Sequence, residues 1–393
     1  MKIHVPTAGP GRPAVALQYA HKRRIFDETG ATMKLMIPEY IEAISPYVPG
    51  KPLEELEREY GISDSIKLAS NENPLGPSPK ALEAIRERLS NLNRYPDGTG
   101  HDLTRKIAAR HQVAPENVVI GNGSDDVIAL LIQATVRPGD RVIVPQPSFL
   151  MYAISATAAG AVVDRVPLHH MQMDLAAMAD RVTEDTRLVF VCNPNNPTGT
   201  IISQRDFDQF VARLPEHVLV VVDEAYVDFV RNADCLKTGR SEDIHRPLVT
   251  LRTFSKAYGL AGLRVGYGIM PSPLAGMLHR VRQPFNVNAL AQAAAAAALD
   301  DREFLQRSVD LVHRGLDSLY AALDRMGLTY FATEANFFLI DVGQPADAVF
   351  EKMLRQGVIV RSMRSYGYPE YIRVNVGLER ENQRFLEALE RVL

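Results

Sequence analysis

Two residue types are nearly missing from this 393-residue chain: it has no tryptophan and only two cysteines, Cys192 and Cys235. Two cysteines cannot build a disulfide framework, and no CxxC or HxxxH spacing offers a zinc site. Basic surplus is also absent. The 44 Lys and Arg are outnumbered by 47 Asp and Glu, for a net charge of -3. That balance argues against nucleic acid or an anionic membrane as partner. No run of 18 apolar residues exists, so a membrane span is not expected. The first residues have no continuous apolar segment before a small-residue cleavage site, which argues against a secretory signal. A protein of the reducing cytoplasm fits these absences.

What is present is a large apolar fraction, 46% of residues, enough for an extensive core and two or three domains. Residues 1 to about 32 carry Pro, Gly and the basic cluster His21-Lys-Arg-Arg24. They read as a loose tail, and the compact chain is expected to begin near Met33. From about residue 60, apolar runs rich in β-branched residues alternate with amphipathic stretches. "VVIGNGSDDVIALLIQATV" reads as strand, glycine turn and helix, and "TRLVFVCNPNNPTG" and "HVLVVVDEAYVDF" as strands stopped by polar residues. "DRVIVPQPSF", "RPLVTLRTFSK" and "LRVGYGIM" repeat the pattern. Continuous apolar strands separated by helices predict an α/β fold with a mostly parallel sheet covered on both faces. The alanine run starting at Ala289 predicts a helix to Leu299. Beyond it, helices and the short strands "NFFLIDV", "VIVRSM" and "YIRVNVG" predict a smaller α/β domain. The expected division is 1–60 as extension and arm, 61–290 as large domain and 291–393 as small domain.

Polar residues gather where these strands end, which is where open α/β sheets bind ligands. The turn Gly121–Asp126 opens a helix, whose free N–H groups attract an anion. Asparagines follow one strand at 193, 195 and 196, and Asp223 closes another. Lys256 stands alone in "TFSKAYGLAGLR", a run otherwise fit for burial until Arg264. Each feature has an ordinary reading as a turn, a helix cap or a solvated surface lysine. Together they supply what a phosphorylated pyridine aldehyde requires: an anion cradle, an amide, a carboxylate and an amine.

Seven stretches in order, "NENPLGPSP", "RYPDGTG", "GNGSDD", "NPNNPTG", "DEAYVDF", "SKAYGLAGLR" and "IRVNVG", resemble the fold-type I pyridoxal-phosphate (PLP) aminotransferases from about Met36 to Leu393. "SPYVPGKP", "LASNENPLGPSP", "LNRYPD" and the ending "VIVRSM…YIRVNVG" are most similar to the histidinol-phosphate branch of that family. Aromatic aminotransferases and threonine-phosphate decarboxylases share much of the pattern. A non-catalytic PLP-binding regulator would need a helix-turn-helix domain, for which residues 1–60 are too short and too proline-rich.

The resemblance implies a seven-stranded large domain, PLP as cofactor, small amino and keto acids as substrates, and a homodimer with shared active sites. It implies that Lys256 attaches the cofactor covalently and later moves the substrate proton. Asp223 pairs with the ring nitrogen, and Asn196 and Tyr226 reach the phenolic oxygen. Phe149 stacks on the ring, where relatives often carry Tyr. The backbone amides of Ser124 and Asp125, the hydroxyls of Thr253 and Ser255, and Arg264 hold the phosphate, with Tyr95 reaching it from the neighbouring subunit. Arg373 clamps the substrate carboxylate. Arg361 and Tyr47, the latter from the partner, read a substrate phosphate. Asn73 lies near the entrance. Asp126 stands where Glu is commoner.

Overall fold

The computed structural model describes residues 36–47 and 49–393, and the backbone of the short strands Ile25–Phe26 and Thr32–Met33. The basic cluster at 21–24 and the expected tail other than Ile25, Phe26 and Thr32 lie outside the described residues. The chain separates into a unit over Met1–Val48 and a compact unit over Pro49–Leu393. The first contains the antiparallel pair Ile25–Phe26 with Thr32–Met33 and the single-turn helix Glu39–Glu42.

The second unit is built on a seven-stranded sheet. In chain order its strands are β1 (Val118–Gly121), β2 (Arg141–Gln146), β3 (Val162–Pro167), β4 (Thr186–Cys192), β5 (Leu219–Asp223), β6 (Leu248–Thr253) and β7 (Gly266–Ile269). They lie side by side as β1-β7-β6-β5-β4-β2-β3. Neighbours from β6 to β3 pair parallel, whereas β7 runs antiparallel to both β1 and β6. The central strands are buried on both faces, so their side chains show no polar alternation. Val189 and Val191 face one apolar cluster, while Leu188 and Phe190 face another. Burying each such side chain contributes about 1.5–3 kcal/mol. The edge strand β3 escaped the sequence reading for the opposite reason. It carries Asp164 and Arg165, Val162 is exposed, and only Val166 is buried. Its place is tied by a two-point contact from Arg141 to Asp164.

A second, four-stranded sheet comprises β8 (Tyr330–Phe331), β9 (Phe337–Asp341), β10 (Arg361–Ser362) and β11 (Tyr371–Asn375), in the order β8-β9-β11-β10, all antiparallel. The stretch "VIVRSM" does not form one strand. Val358–Ile359 pair with Ile66–Lys67, and only Arg361–Ser362 join β11. Leu53–Tyr60, expected in the N-terminal arm, form a helix of the larger unit; Leu56 is buried against Ala69, Leu354 and Ile359. The alanine-rich helix runs over Ala289–Ala298, one residue short of expectation.

Candidate active site

The carboxyl ends of β4, β5 and β6 deliver three groups to neighbouring positions, because Cys192 pairs with Asp223 and Asp223 with Leu251 in register. After β4, the turn holding Asn193, Asn195 and Asn196 sorts its amides by task. Asn193 donates to the Leu236 carbonyl at 3.1 Å and accepts from Ile202 N–H at 2.9 Å. Asn195 accepts from Ser148 Oγ at 2.8 Å and donates to Thr198 Oγ1 at 3.0 Å. Both are consumed in shaping the turn. Asn196 instead accepts from Arg373 Nη1 and donates at 3.5 Å to the Tyr226 hydroxyl.

Asp223 ends β5 and is 3% exposed. Tyr152 and the Ala225 N–H donate to its two oxygens at 2.7 and 3.1 Å. Burial nonetheless pushes its carboxyl up to about 6, against those hydrogen bonds. No cation forms an ion pair with it among the described residues. Lys256 is half-buried three residues beyond β6. Its ammonium donates to the Ser70 carbonyl at 3.2 Å and lies 5.6 Å from the Tyr226 ring centre. Burial, then the Arg373 charge, lowers its pKa to about 8, while Glu72 and Asp125 oppose the change.

The anion cradle is assembled from two turns. Helix α1 (Ser124–Thr135) begins after Gly123, whose φ is +86° and which provides no side-chain cap. That positive φ favours glycine, and a Cβ there would sit 2.6 Å from Arg264 Nη2, the movable end of its side chain. Arg264 Nη1 donates to the Ala261 carbonyl at 3.2 Å, and its contacts to Ser255 Oγ, 3.4 Å, and Asp125 Oδ2, 3.6 Å, are long. Thr253 Oγ1 accepts from Ser255 N–H at 3.1 Å, holding both hydroxyl residues in one tight turn. Phe149 packs its ring edge-to-face with Tyr152, centroids 5.4 Å apart.

Arg373, on β11, is buried with Nη2 donating to the Ala69 carbonyl at 2.9 Å and its guanidinium 5.1 Å from the Phe337 ring centre. Arg361 on β10 is its direct cross-strand partner. Asn73 is placed differently from a substrate contact: its amide donates to the Ala257 carbonyl and to Ser308 Oγ, both at 2.9 Å, pinning the backbone beside Lys256. Tyr95 is 83% exposed and stacks on Phe285 at 4.7 Å. Tyr47 is exposed in the N-terminal unit. Asp126 accepts from Asn122 N–H and Asn286 Nδ2, supporting the turn from behind. Two site residues were missed, Tyr152 and Asn71, which donates to the Tyr226 hydroxyl at 3.0 Å. Asn71 lies inside a quoted stretch and Tyr152 three residues beyond one, but nothing in their spacing separates them from packing residues.

This donor set fits PLP. A buried acid without a cation meets a protonated ring nitrogen, an uncapped helix start with a nearby guanidinium meets a phosphate, and an amine of lowered pKa meets an aldehyde. The chain matches the aminotransferase class I and II family over residues 63–389 and belongs to it. It is a PLP-dependent aminotransferase. It is 51% identical over 360 residues to histidinol-phosphate aminotransferase of Desulfotalea psychrophila, covering 91% of this chain and 95% of that one. With the Moorella thermoacetica enzyme of the same name it shares 45% over 383 residues, covering 95% and 98%. Among solved structures, histidinol-phosphate aminotransferase from Sinorhizobium meliloti in complex with pyridoxal-5'-phosphate aligns with a TM-score of 0.84 at 27% identity, covering 92% of this chain and 98% of that one.

Proposed function

We propose that this aminotransferase moves an amino group between glutamate or 2-oxoglutarate and histidinol phosphate or imidazole-acetol phosphate, in histidine biosynthesis in the cytoplasm. One observation carries the substrate choice beyond the relatives' names. Arg361 and Arg373 are directly opposed on antiparallel strands, so their side chains leave the same face of the sheet. Two guanidinium groups leaving one face favour an anionic ligand, which either can bind by charge-assisted hydrogen bonds. A substrate with a carboxylate, as in glutamate, and one with a phosphate both suit such a pair.

When bound, PLP supplies an aldehyde that condenses with amines and a protonated ring that withdraws electrons. The residues supply the rest. Asp223 would hold the ring nitrogen protonated, Asn196 and Tyr226 would donate to the phenolic oxygen, and Phe149 would cover one ring face. The backbone amides of Ser124 and Asp125, the hydroxyls of Thr253 and Ser255, and the guanidinium of Arg264 would hold the phosphate. With a pKa near 8, Lys256 has a neutral fraction near neutral pH, so its amine would take the proton from the substrate Cα and deliver it to the carbon that receives the amino group. The exposed Tyr95 and Tyr47 serve a second copy of the chain, which makes the working unit a homodimer. The second sheet and its helices form the small domain from about 291. A panel of amino donors ranked by kcat/KM tests the reading. Histidinol phosphate is expected to lead; a strong preference for phenylalanine, or carbon dioxide release from threonine phosphate without a keto acid, overturns it.

A further inference from the structure

Asn71 is buried and has a φ of +56°. That left-handed conformation strains most side chains, though Asn adopts it more readily than others. Such strain persists only where the surroundings impose it. Here two buried amides do so: Asn375 Oδ1 accepts from the Asn71 N–H at 3.0 Å, and Asn336 Nδ2 donates to its carbonyl at 3.1 Å. Asn375 ends β11 and Asn336 immediately precedes β9. With its backbone clamped by the second sheet, Asn71 donates from Nδ2 to the Tyr226 hydroxyl oxygen at 3.0 Å.

The direction of that bond has a chemical effect. A phenol has one proton to donate, and its oxygen also accepts. The Tyr226 oxygen accepts from Asn71 and, at 3.5 Å, from Asn196. Neither amide nitrogen can receive the phenol proton in return. We propose that Asn71 is a positioning residue: by occupying the acceptor side of Tyr226, it turns that hydroxyl proton toward the phenolic oxygen of bound PLP. The inference rests on the cofactor reading above and on the role of Tyr226. The charged and titratable groups facing Tyr226 are Arg373, Asp223, Cys192 and the Lys256 amine. None of them is altered by changing Asn71.

A hydrogen bond donated to an anionic oxygen favours the more negative, deprotonated state, so weakening it raises the pH at which that state appears. The test is a spectrophotometric pH titration of the PLP-loaded protein for the parent, Asn71→Gly, Tyr226→Phe and the double variant. Glycine relieves the backbone strain while removing the donor. Asn71→Gly is expected to raise the absorbance midpoint by about half a pH unit, the scale of one redirected hydrogen bond. Tyr226→Phe raises it further, and adding Asn71→Gly to Tyr226→Phe changes nothing more. Asn336→Ala, which loosens only the clamp, gives a smaller shift in the same direction and serves if Asn71→Gly does not fold. An unchanged midpoint, a downward shift, or an equal shift in the Tyr226→Phe background overturns the proposal. A parent protein that takes up no PLP would instead defeat the cofactor reading, before any variant is compared.

Discussion

The Tyr152 hydroxyl donates a 2.7 Å hydrogen bond to Asp223 Oδ2, and both groups are buried. This phenol and the Ala225 N–H are what hold a carboxylate in an apolar setting that otherwise drives it toward the neutral form. Only the charged acid can pair with a protonated pyridine, so on the proposed reading the phenol would support the cofactor from one residue away.

Tyr152→Phe removes that donor while keeping the ring that stacks on Phe190 at 4.5 Å. Affinity for PLP is expected to fall roughly tenfold, the scale of one hydrogen bond to a charged group. Equilibrium titration of the cofactor-free variant measures it, and parental affinity would show the bond to be idle.

Lys256→Ala is expected to bind PLP without covalent attachment and to lose kcat by at least about a thousandfold, because attachment point and proton carrier go together. Borohydride reduction followed by mass measurement of the Lys256 peptide checks the attachment. Turnover near the parental level contradicts the assignment of the amine.

Asp223→Asn separates stability from function. The folded acid has a pKa of about 6 against 3.8 in the unfolded chain. Between those values the unfolded chain gives up its proton while the folded one retains it. Stability of the cofactor-free parent therefore falls as pH rises through this window and stays lower above it. The variant is expected to be more stable than the parent at pH 7, by on the order of 2 kcal/mol, with the gain gone below about pH 4. Denaturant melts at the two pH values test this. Its aminotransferase activity should meanwhile drop sharply.

Arg361→Ala and Arg373→Ala should part company. Arg361→Ala is expected to reduce kcat/KM for histidinol phosphate about a hundredfold, with little effect on phenylalanine. Arg373→Ala reduces it for every amino acid. It also leaves Asn196 Oδ1 and the Ala69 carbonyl without their donor, costing about 1–3 kcal/mol of stability. Equal losses on both substrates in Arg361→Ala would remove the phosphate-reading role.

Much of this was legible along the chain. β4 to β6 announced themselves as continuous β-branched runs, and their polar ends marked the site at Asn196, Asp223 and Lys256. β3 was not legible, because an edge strand buries too little for its charges to be excluded. Asn73 illustrates the opposite limit. Its stretch is distinctive, yet whether its amide meets a ligand or the Ala257 carbonyl depends on residues 184 positions away. Among the three asparagines of the β4 turn, composition did not say which would be spent on the turn itself.

Local periodicity and residue chemistry by themselves determined the α/β class and the position of the sheet, because burial and turn geometry act over a few residues; the roles of the cofactor-binding residues followed from the resemblance of the motifs. Tertiary structure alone decided which groups share a hydrogen bond: Tyr152 with Asp223, Asn71 with Tyr226, and Arg373 with Asn196. These pairs are 71, 155 and 177 residues apart. A hydrogen bond depends on ångström-scale placement, which arises only when separate sheets pack.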